Sequence, residues 1–130
     1  MSAYLVDTDW AIQVLHGNQE ATQALLAQAA TGLALSLITY GELFEGAYYA
    51  RDPQRALAAL QAFLDGKELL PPTTAIMERF AILRGQLPRH VRRQVGDLDL
   101  LIGVTALEYG LRLFTYNRKD FAHIPGLTLA

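Results

Sequence analysis

The segment from Asp97 to Thr115, DLDLLIGVTALEYGLRLFT, joins two kinds of structure in one short stretch. Its first part, Asp97 to Tyr109, has the pattern of a helix, and Gly110 is typical of a residue that ends one. Leu111 to Thr115 is apolar enough to predict a buried strand. A helix followed by a buried strand is the repeating unit of α/β proteins, in which helices cover the faces of a parallel sheet.

The same alternation extends upstream of this segment. A short apolar run predicts a strand at Tyr4 to Val6, and a second run predicts one at Leu33 to Leu37. Glu68 to Leu70 is a third candidate strand, broken by the two prolines that follow it. At the far end, Leu127 to Leu129 is a candidate edge strand.

Helical patterns lie between these strands, with recognisable start and stop residues. Asn18 is a suitable N-cap, Asp52-Pro53 is a strong helix start, and Pro88 closes the helix before it. The predicted helices are Trp10 to Leu15, Gln19 to about Ala30, about Thr39 to Ala50, Pro53 to Leu64, and Thr73 or Thr74 to about Leu87. We therefore predict one domain over residues 1–130, an α/β three-layer α/β/α sandwich with a central, mainly parallel sheet.

The composition narrows the function classes. With 52% apolar and 18% charged residues, the chain does not have the composition of a disordered protein. It has no cysteine, which excludes disulfides, thiolate zinc sites and a cysteine nucleophile. No signal peptide or membrane-length apolar run is present, so we expect a cytoplasmic protein without membrane contact.

Acidic and amide side chains collect where the predicted strands end. Asp7 ends the first strand, Glu42 lies one helical turn beyond the second, and Asp99 opens the helix before the last, which Asn117 and Asp120 follow. The carboxyl ends of parallel strands form the ligand-binding edge of such sheets. Clustered carboxylates there predict raised pKa values or a bound cation, and oxygen ligands favour Mg²⁺, with Mn²⁺ possible. Such an ion suits phosphoester chemistry.

Each of these residues also fits a structural role. Asp7 fits an N-cap for the helix that begins near Asp9, and Thr39 with Glu42 matches a capping box. Asp97 and Asp99 suit the first turn of a helix, where acids interact favourably with the helix dipole. Asp120 fits a turn. Only their joint placement at one edge of the sheet favours an active site.

The net charge is −2, so the chain as a whole is not a basic nucleic-acid-binding protein. One segment is nevertheless densely basic and lies just upstream of Asp97 and Asp99. It contains Arg84, Arg89, His90, Arg92 and Arg93. Such a segment fits either a solvated surface or a phosphate-binding surface.

Four motifs resemble those of PIN-domain ribonucleases, and in particular the VapC-like toxins of type II toxin–antitoxin systems. The motifs occur in the family's order, from Leu5 to Leu127, and the combination is specific although each piece is short. They are Leu5-Val6-Asp7-Thr8, Leu37 to Leu43 with Glu42, Asp99 to Leu107, and Leu113 to Asn117 with Asp120-Phe121. The tail Ile124 to Leu127 is also similar to VapC-like members.

The resemblance implies a Mg²⁺-dependent endoribonuclease that cleaves RNA phosphodiester bonds with an activated water. It places the metal on Asp7 and Asp99 and gives Glu42 the role of a further ligand or water-positioning group. Asn117 completes the implied catalytic set, with Thr8, Asp97, Thr115 and Asp120 as auxiliary residues. We expect Arg89, Arg92 and Arg93 of the basic segment to bind the RNA.

Two positions depart from the family pattern. Many members carry an acid where this chain has Asn117, so either Asn117 acts as a neutral, water-mediated ligand or Asp120 replaces it. Losing one negative charge weakens a second metal more than the first. Asp97 is an extra acid beside Asp99, and the motif match favours Asp99.

The resemblance also implies partners. VapC-like proteins usually form homodimers and are inhibited by a small VapB-like antitoxin that places a basic side chain near the acids. A cation from such a partner would compete with Mg²⁺ for the same carboxylates. The RNA target, the cleavage sequence, the number of metals and the antitoxin's identity are open at this point.

Two other function classes compete with the nuclease. Asp7-Thr8-Asp9 fits the opening motif of haloacid-dehalogenase-like phosphatases, with Asp7 as nucleophile, but Ala11 replaces an expected threonine and the expected lysine is missing. A catalytically degenerate PIN-like binding module, with acids that serve as caps, is the other alternative, and Asn117 supports it.

Overall fold

The computed structural model describes residues 2–130, and a small parallel sheet lies at its centre. The strands are β1 (Tyr4–Val6), β2 (Leu33–Ser36), β3 (Glu68–Leu70) and β4 (Arg112–Phe114). They pair in the order β3-β2-β1-β4, and every pairing is parallel. The carboxyl ends of β2 and β4 therefore lie on either side of the carboxyl end of β1.

Eight α-helices of the described residues connect and cover these strands. They are α1 (Thr8–Leu15), α2 (Gln19–Ala27), α3 (Leu37–Tyr48), α4 (Pro53–Leu64), α5 (Thr74–Gln86), α6 (Arg89–Val95), α7 (Asp97–Tyr109) and α8 (Arg118–Phe121). A 3₁₀ turn, Ala29–Thr31, precedes β2. No helix within residues 2–130 combines the length and apolar character needed to cross a bilayer.

Alternate residues of the strands point to opposite faces of the sheet and so build two cores. Leu5 and Leu113 pack on one face with side chains of α5, α6 and α7, such as Ile76, Val91 and Leu100. Val6 and Phe114 pack on the other face with α1 to α4. This alternation follows from the period of two in a strand. The predicted three-layer α/β/α sandwich is confirmed.

The helix starts follow the local sequence, with one correction. Asn18, Asp52 and Thr73 each accept a hydrogen bond from a backbone N–H of the first helical turn, as N-caps do. The predicted capping box of Thr39 and Glu42 is wrong, because β2 ends at Ser36 and Ser36 caps α3. The helix thus begins at Leu37, and Glu42 is turned toward a different partner.

Other boundaries also differ from the prediction. Helix α1 begins at Thr8, directly after Asp7, and α2 ends at Ala27 before the 3₁₀ turn. The predicted edge strand at Leu127 to Leu129 is wrong as a strand, since Leu129 makes only one isolated parallel bridge to Leu113. Gly96, with φ of +82°, precedes α7, so neither Asp97 nor Asp99 is its N-cap.

Helix α6 was not predicted. Arg89–Val95 follows Pro88 directly, and Val91 and Val95 are buried on one side of the helix. Its charged residues left no continuous apolar run, although the i, i+4 spacing of the two valines is the pattern of a short amphipathic helix. This helix holds the arginines of the basic segment in a fixed arrangement.

Candidate active site

The carboxyl edge of the sheet brings together acids from distant parts of the chain. Asp7 follows β1, and its backbone N–H donates to the carbonyl oxygen of Phe114 at 2.9 Å. Thr115 to Asn117 follow the adjacent β4, Glu42 comes from α3, and Asp99 comes from the first turn of α7. The predicted convergence of separate segments is what the topology produces.

Thr115 holds the centre of this arrangement. Its side chain is 1% exposed, and its hydroxyl donates to Asp7 Oδ2 at 2.7 Å. The same hydroxyl oxygen accepts the backbone N–H of Asn117 at 2.9 Å and lies 3.4 Å from Asp9 Oδ2. Thr115 therefore fixes Asp7 and the loop that follows β4 relative to each other.

Asp7 is both a helix cap and a buried acid. It is 3% exposed, and its Oδ1 accepts the backbone N–H of Thr8 at 2.8 Å. The pKa of Asp7 is raised to about 7, chiefly by burial and also by the charges of Asp9 and Asp99, against the opposing effect of the hydrogen bonds from Thr115 and Thr8. Asp7 thus caps α1 and also lies buried at the candidate site.

Thr8 links the first two motifs. Its hydroxyl lies 2.7 Å from Glu42 Oε1, to which it donates, and 3.1 Å from the hydroxyl oxygen of the buried Thr39. Glu42 itself is half-buried. One hydroxyl therefore orients the carboxylate of α3 toward the end of β1.

Asp99 faces the same cleft from α7. Its Oδ2 lies 3.4 Å from Asn117 Nδ2, which donates to it. Partial burial raises the pKa of Asp99, the charges of Glu42, Asp9 and Asp120 add to this effect, and the hydrogen bond from Asn117 opposes it. Asp99 therefore shares an electrostatic environment with the acids of β1 and α3.

Asp120 and Asp97 occupy different surroundings. Asp120 accepts a hydrogen bond from Gln94 Nε2 at 2.6 Å, and this bond, together with one from Asn117, lowers the pKa of Asp120. Asp120 thus lies at the rim of the cleft. Asp97 is exposed and pairs with Arg84, with Nε 2.8 Å from Oδ1, so it faces the arginines.

Asp9 is a site residue that the nuclease prediction missed. Its carboxylate accepts the backbone N–H of Tyr116 at 3.2 Å and raises the pKa of both Asp7 and Asp99. In the sequence, Asp9 belongs to the motif Asp7-Thr8-Asp9, which we interpreted only as a phosphatase motif. Long-range pairing with the loop after β4 brings Asp9 to the cleft.

The donor set fits Mg²⁺ or Mn²⁺. The ion pairs among residues 2–130 are Arg79–Glu108 and Arg84–Asp97, so Asp7, Glu42 and Asp99 have no cationic side chain as partner. Within the same residues, no three acidic or histidine side chains form a complete metal cage. Mg²⁺ usually takes only one or two carboxylates and keeps several waters. Asp7 and Asp99, whose charges act on each other, offer two carboxylates of this kind.

The predicted RNA-binding residues lie next to this cleft. Arg89, Arg92 and Arg93 are on α6, and Gln94 of the same helix donates to Asp120. Arg84 of α5 lies beside them. Their role in RNA binding is a prediction that the geometry allows.

The comparisons with known proteins give the family. The PIN domain family model matches residues 4–127. The tRNA(fMet)-specific endonuclease VapC of Salmonella typhimurium is 29% identical to this chain in an alignment that covers 99% of this chain and 97% of the relative.

Solved structures agree with this assignment. DNA-bound VapBC from Salmonella typhimurium contains a chain that is 26% identical, with a TM-score of 0.81 and coverage of 100% of this chain and 98% of that one. A toxin–antitoxin complex from Klebsiella pneumoniae contains a chain that is 34% identical, with a TM-score of 0.74 and coverage of 97% and 96%. The chain is therefore a VapC-like member of the PIN domain family.

Proposed function

We propose that this protein is a metal-dependent endoribonuclease and the toxin of a toxin–antitoxin pair. The observation that carries the proposal is the buried Asp7, whose pKa is raised to about 7 beside Asp9 and Asp99 without a cationic side chain to neutralise it. Such a site has a strong requirement for a cation. The name of the Salmonella relative, an endonuclease specific for a tRNA, supports RNA as the substrate.

Asp7 and Asp99 are the proposed ligands of Mg²⁺, which Mn²⁺ can replace. A divalent cation held there supplies positive charge beside the scissile phosphate and acidifies water. Thr115 keeps Asp7 Oδ2 in place, and Asn117 does the same for Asp99 Oδ2. The two ligands are thus positioned by hydrogen-bond donors from the same loop.

Glu42 is proposed to position the attacking water. Thr8 engages Oε1 of this carboxylate, which leaves Oε2 for a water molecule in the cleft. A carboxylate in that position accepts the proton as the water attacks phosphorus, and the leaving oxygen departs from the opposite side. Asn117 is a neutral group in the fourth motif, so we propose that it orients Asp99 and does not serve as an ionic ligand.

The test is cleavage of labelled total RNA by purified protein with Mg²⁺, Mn²⁺ or EDTA. We expect fragments only with metal, and a loss of at least about 100-fold for Asp7→Asn and Asp99→Asn. Glu78→Gln is a matched control, because Glu78 is exposed on α5 and is distant in sequence from the acids of the cleft. Circular dichroism establishes that each variant is folded.

The same experiment separates the alternatives. Release of inorganic phosphate from a small phosphomonoester, without RNA cleavage, would support the phosphatase that uses Asp7 as nucleophile. Metal-independent fragments, or equal cleavage by both variants and wild type, would contradict the proposed site. Folded protein that cleaves neither substrate would support a degenerate binding module.

A VapB-like antitoxin is the proposed protein partner, by analogy with the VapBC complex from Salmonella typhimurium. An apolar groove of about 700 Å³ runs along α3 and is suited to it. Its lining includes Leu37, Phe44, Tyr48, Tyr49 and Leu98, and Glu42 lies at its edge. A partner seated there would reach the acids.

A homodimer is also proposed, and sedimentation equilibrium tests it.

The groove has its own test. Phe44 and Tyr48 are exposed and stack at 6.1 Å between ring centroids, so both contribute contact area to a partner. We expect Phe44→Ala with Tyr48→Ala to weaken inhibition by the cognate antitoxin while RNA cleavage without antitoxin is unchanged. Equal inhibition of the variant and wild type would place the antitoxin elsewhere.

A further inference from the structure

A second pocket, of about 390 Å³, lies outside the acidic cleft and is strongly basic. Its lining residues come from α5, α6 and the start of α7, and they are Arg84, Arg89, Arg92, Arg93, Gly96 and Asp97. Four guanidinium groups thus face one carboxylate. Like charges gathered in one pocket favour the binding of an anion.

Arg92 gives an independent sign of a missing ligand. The Arg92 side chain is partly buried, and its Nε is a buried donor without an acceptor among residues 2–130. Buried polar groups are nearly always hydrogen-bonded, because leaving them unpaired is costly. An acceptor bound in the pocket would satisfy this donor.

Helix α6 cannot rotate to move its arginines apart. Val91 and Val95 are each 5% exposed and fix the opposite side of the helix in the core. Arg89, Arg92 and Arg93, at i, i+3 and i+4, therefore share the outer side. Asp97 is engaged with Arg84 at 2.8 Å and is the one carboxylate in the lining. The other three arginines have no ion-pair partner within the described residues.

The pocket lies close to the acidic cleft along α6 and α8. Gln94 of α6 donates to Asp120 of α8 at 2.6 Å, and Asn117, which directly precedes α8, donates to Asp99. Helix α8 and the residue before it thus link α6 to the proposed metal ligand Asp99. A nucleic acid strand cut in the cleft would place a neighbouring phosphate near the arginines.

We infer that the Arg92 pocket is a binding subsite for a backbone phosphate of single-stranded RNA, next to the phosphate that is cleaved. This inference rests on the proposed function, and it adds which residues hold the substrate. Guanidinium groups match phosphate oxygens with paired N–H donors, which suits a pocket built from arginines. An acidic protein segment could also pair with these arginines. However, it would lie beside the carboxylates of the cleft, and it has no phosphodiester bond that the cleft could cleave.

The test is binding without cleavage. Wild type and variants are titrated in EDTA against a fluorescein-labelled single-stranded RNA, and anisotropy gives Kd at several salt concentrations. We expect Arg92→Gln to raise Kd about 5- to 10-fold and to reduce the slope of log K against log salt by about 0.7, the value of one phosphate contact on a single strand. Arg93→Gln is expected to act in the same direction.

Arg55→Gln is the matched control, since Arg55 is exposed on α4 and forms no ion pair within residues 2–130. It should leave Kd and slope unchanged. Equal Kd and slope for Arg92→Gln and wild type would overturn the subsite. The subsite would also be overturned if polyglutamate binding depended on Arg92 while RNA binding did not.

Asp99→Asn separates this inference from the proposed function. It is expected to abolish cleavage with Mg²⁺ while it binds RNA in EDTA at least as tightly as wild type, because a negative charge is removed. RNA binding that depends on Arg92, in a wild-type protein that never cleaves RNA, would overturn the nuclease and retain the subsite. Matched melting temperatures show that the arginine variants are folded.

Discussion

Thr115 and Asp7, which are 108 positions apart in the chain, are joined by a buried hydrogen bond of 2.7 Å from Oγ1 to Oδ2. The bond connects the ends of β1 and β4, the two strands that border the cleft. Because Asp7 also receives the N–H of Thr8, both of its oxygens are held by donors of the chain. The orientation of this carboxylate is thus set before any ion binds.

Replacement of Thr115 tests this arrangement. The hydroxyl of Thr115 lowers the pKa of Asp7 against the effect of burial, so Thr115→Val should raise that pKa above about 7. We expect cleavage at neutral pH to fall about 10-fold, with the rising limb of the pH–rate profile displaced to higher pH. Thr115→Ser retains the donor and should restore the profile. A profile unchanged in Thr115→Val would show that the hydroxyl does not tune Asp7.

The pKa of Asp7 also predicts how stability depends on pH. Asp7 titrates near 3.8 when unfolded and near 7 when folded, so the folded state favours the protonated acid. Its stabilising contribution is fully present below 3.8 and is lost as pH rises through 7. In metal-free protein, Asp7→Asn should therefore gain on the order of 4 kcal/mol over wild type between acidic and alkaline pH.

Urea denaturation in EDTA across this pH range measures the difference. Asp99, whose pKa is also raised, should leave a smaller slope of the same sign in Asp7→Asn. Added Mg²⁺ should restore stability to the wild type above pH 7 and have less effect on the variant. Parallel curves for the two proteins at every pH would contradict the raised pKa.

Asn117 determines the charge of the fourth motif. Asn117→Asp removes the amide that donates to Asp99 and adds a carboxylate in its place. Without metal, the pKa of Asp99 should rise further, and above that pKa the affinity for Mn²⁺ should increase several-fold. Isothermal titration calorimetry measures it. Asn117→Ala, which removes the donor without adding charge, should show no gain, and a gain there would exclude the charge as the cause.

Gly103 is favoured by close packing and not by backbone conformation. A β-carbon at this position of α7 would overlap Ile124 Cδ1 and press on Phe121. We expect Gly103→Ala to cost about 2 kcal/mol of unfolding free energy. Gly85→Ala is the control, because a β-carbon there meets open space, and it should gain about 0.5–1 kcal/mol in the helix.

Ile124→Val removes the overlapping methyl group and completes that test. The double variant Gly103→Ala/Ile124→Val should be less destabilised than the sum of the two single variants. Strict additivity would mean that α7 moves away from Ile124 as a unit.

Much of the site could be predicted because its acids follow buried strands. Asp7 lies directly after β1, and Asn117 lies shortly after β4, so their positions depend on local pattern and on parallel pairing. Glu42 could be placed at the cleft by its distance from β2. Its partner could not be predicted, because Thr8 is 34 positions away and the local match to Thr39 was misleading.

The parts that were missed depend on contacts between distant segments. Asp9 reaches the cleft through the backbone of Tyr116, which no local pattern indicates. Asp97 and Asp99 look equivalent in sequence, and only the approach of Arg84 from α5 separates their roles. Helix α6 is short and rich in arginine, so its two apolar residues were too few to predict a helix from the sequence.

The bond between Thr115 and Asp7 has a consequence for synthesis. A growing chain exposes Asp7 early, but β4 and Thr115 emerge only after α7 has been made. Until then the carboxylate lacks the hydroxyl that orients it, and Asp99 lacks Asn117. A nascent chain still attached to its ribosome therefore cannot assemble the cleft until α7, β4 and the loop after β4 have all emerged.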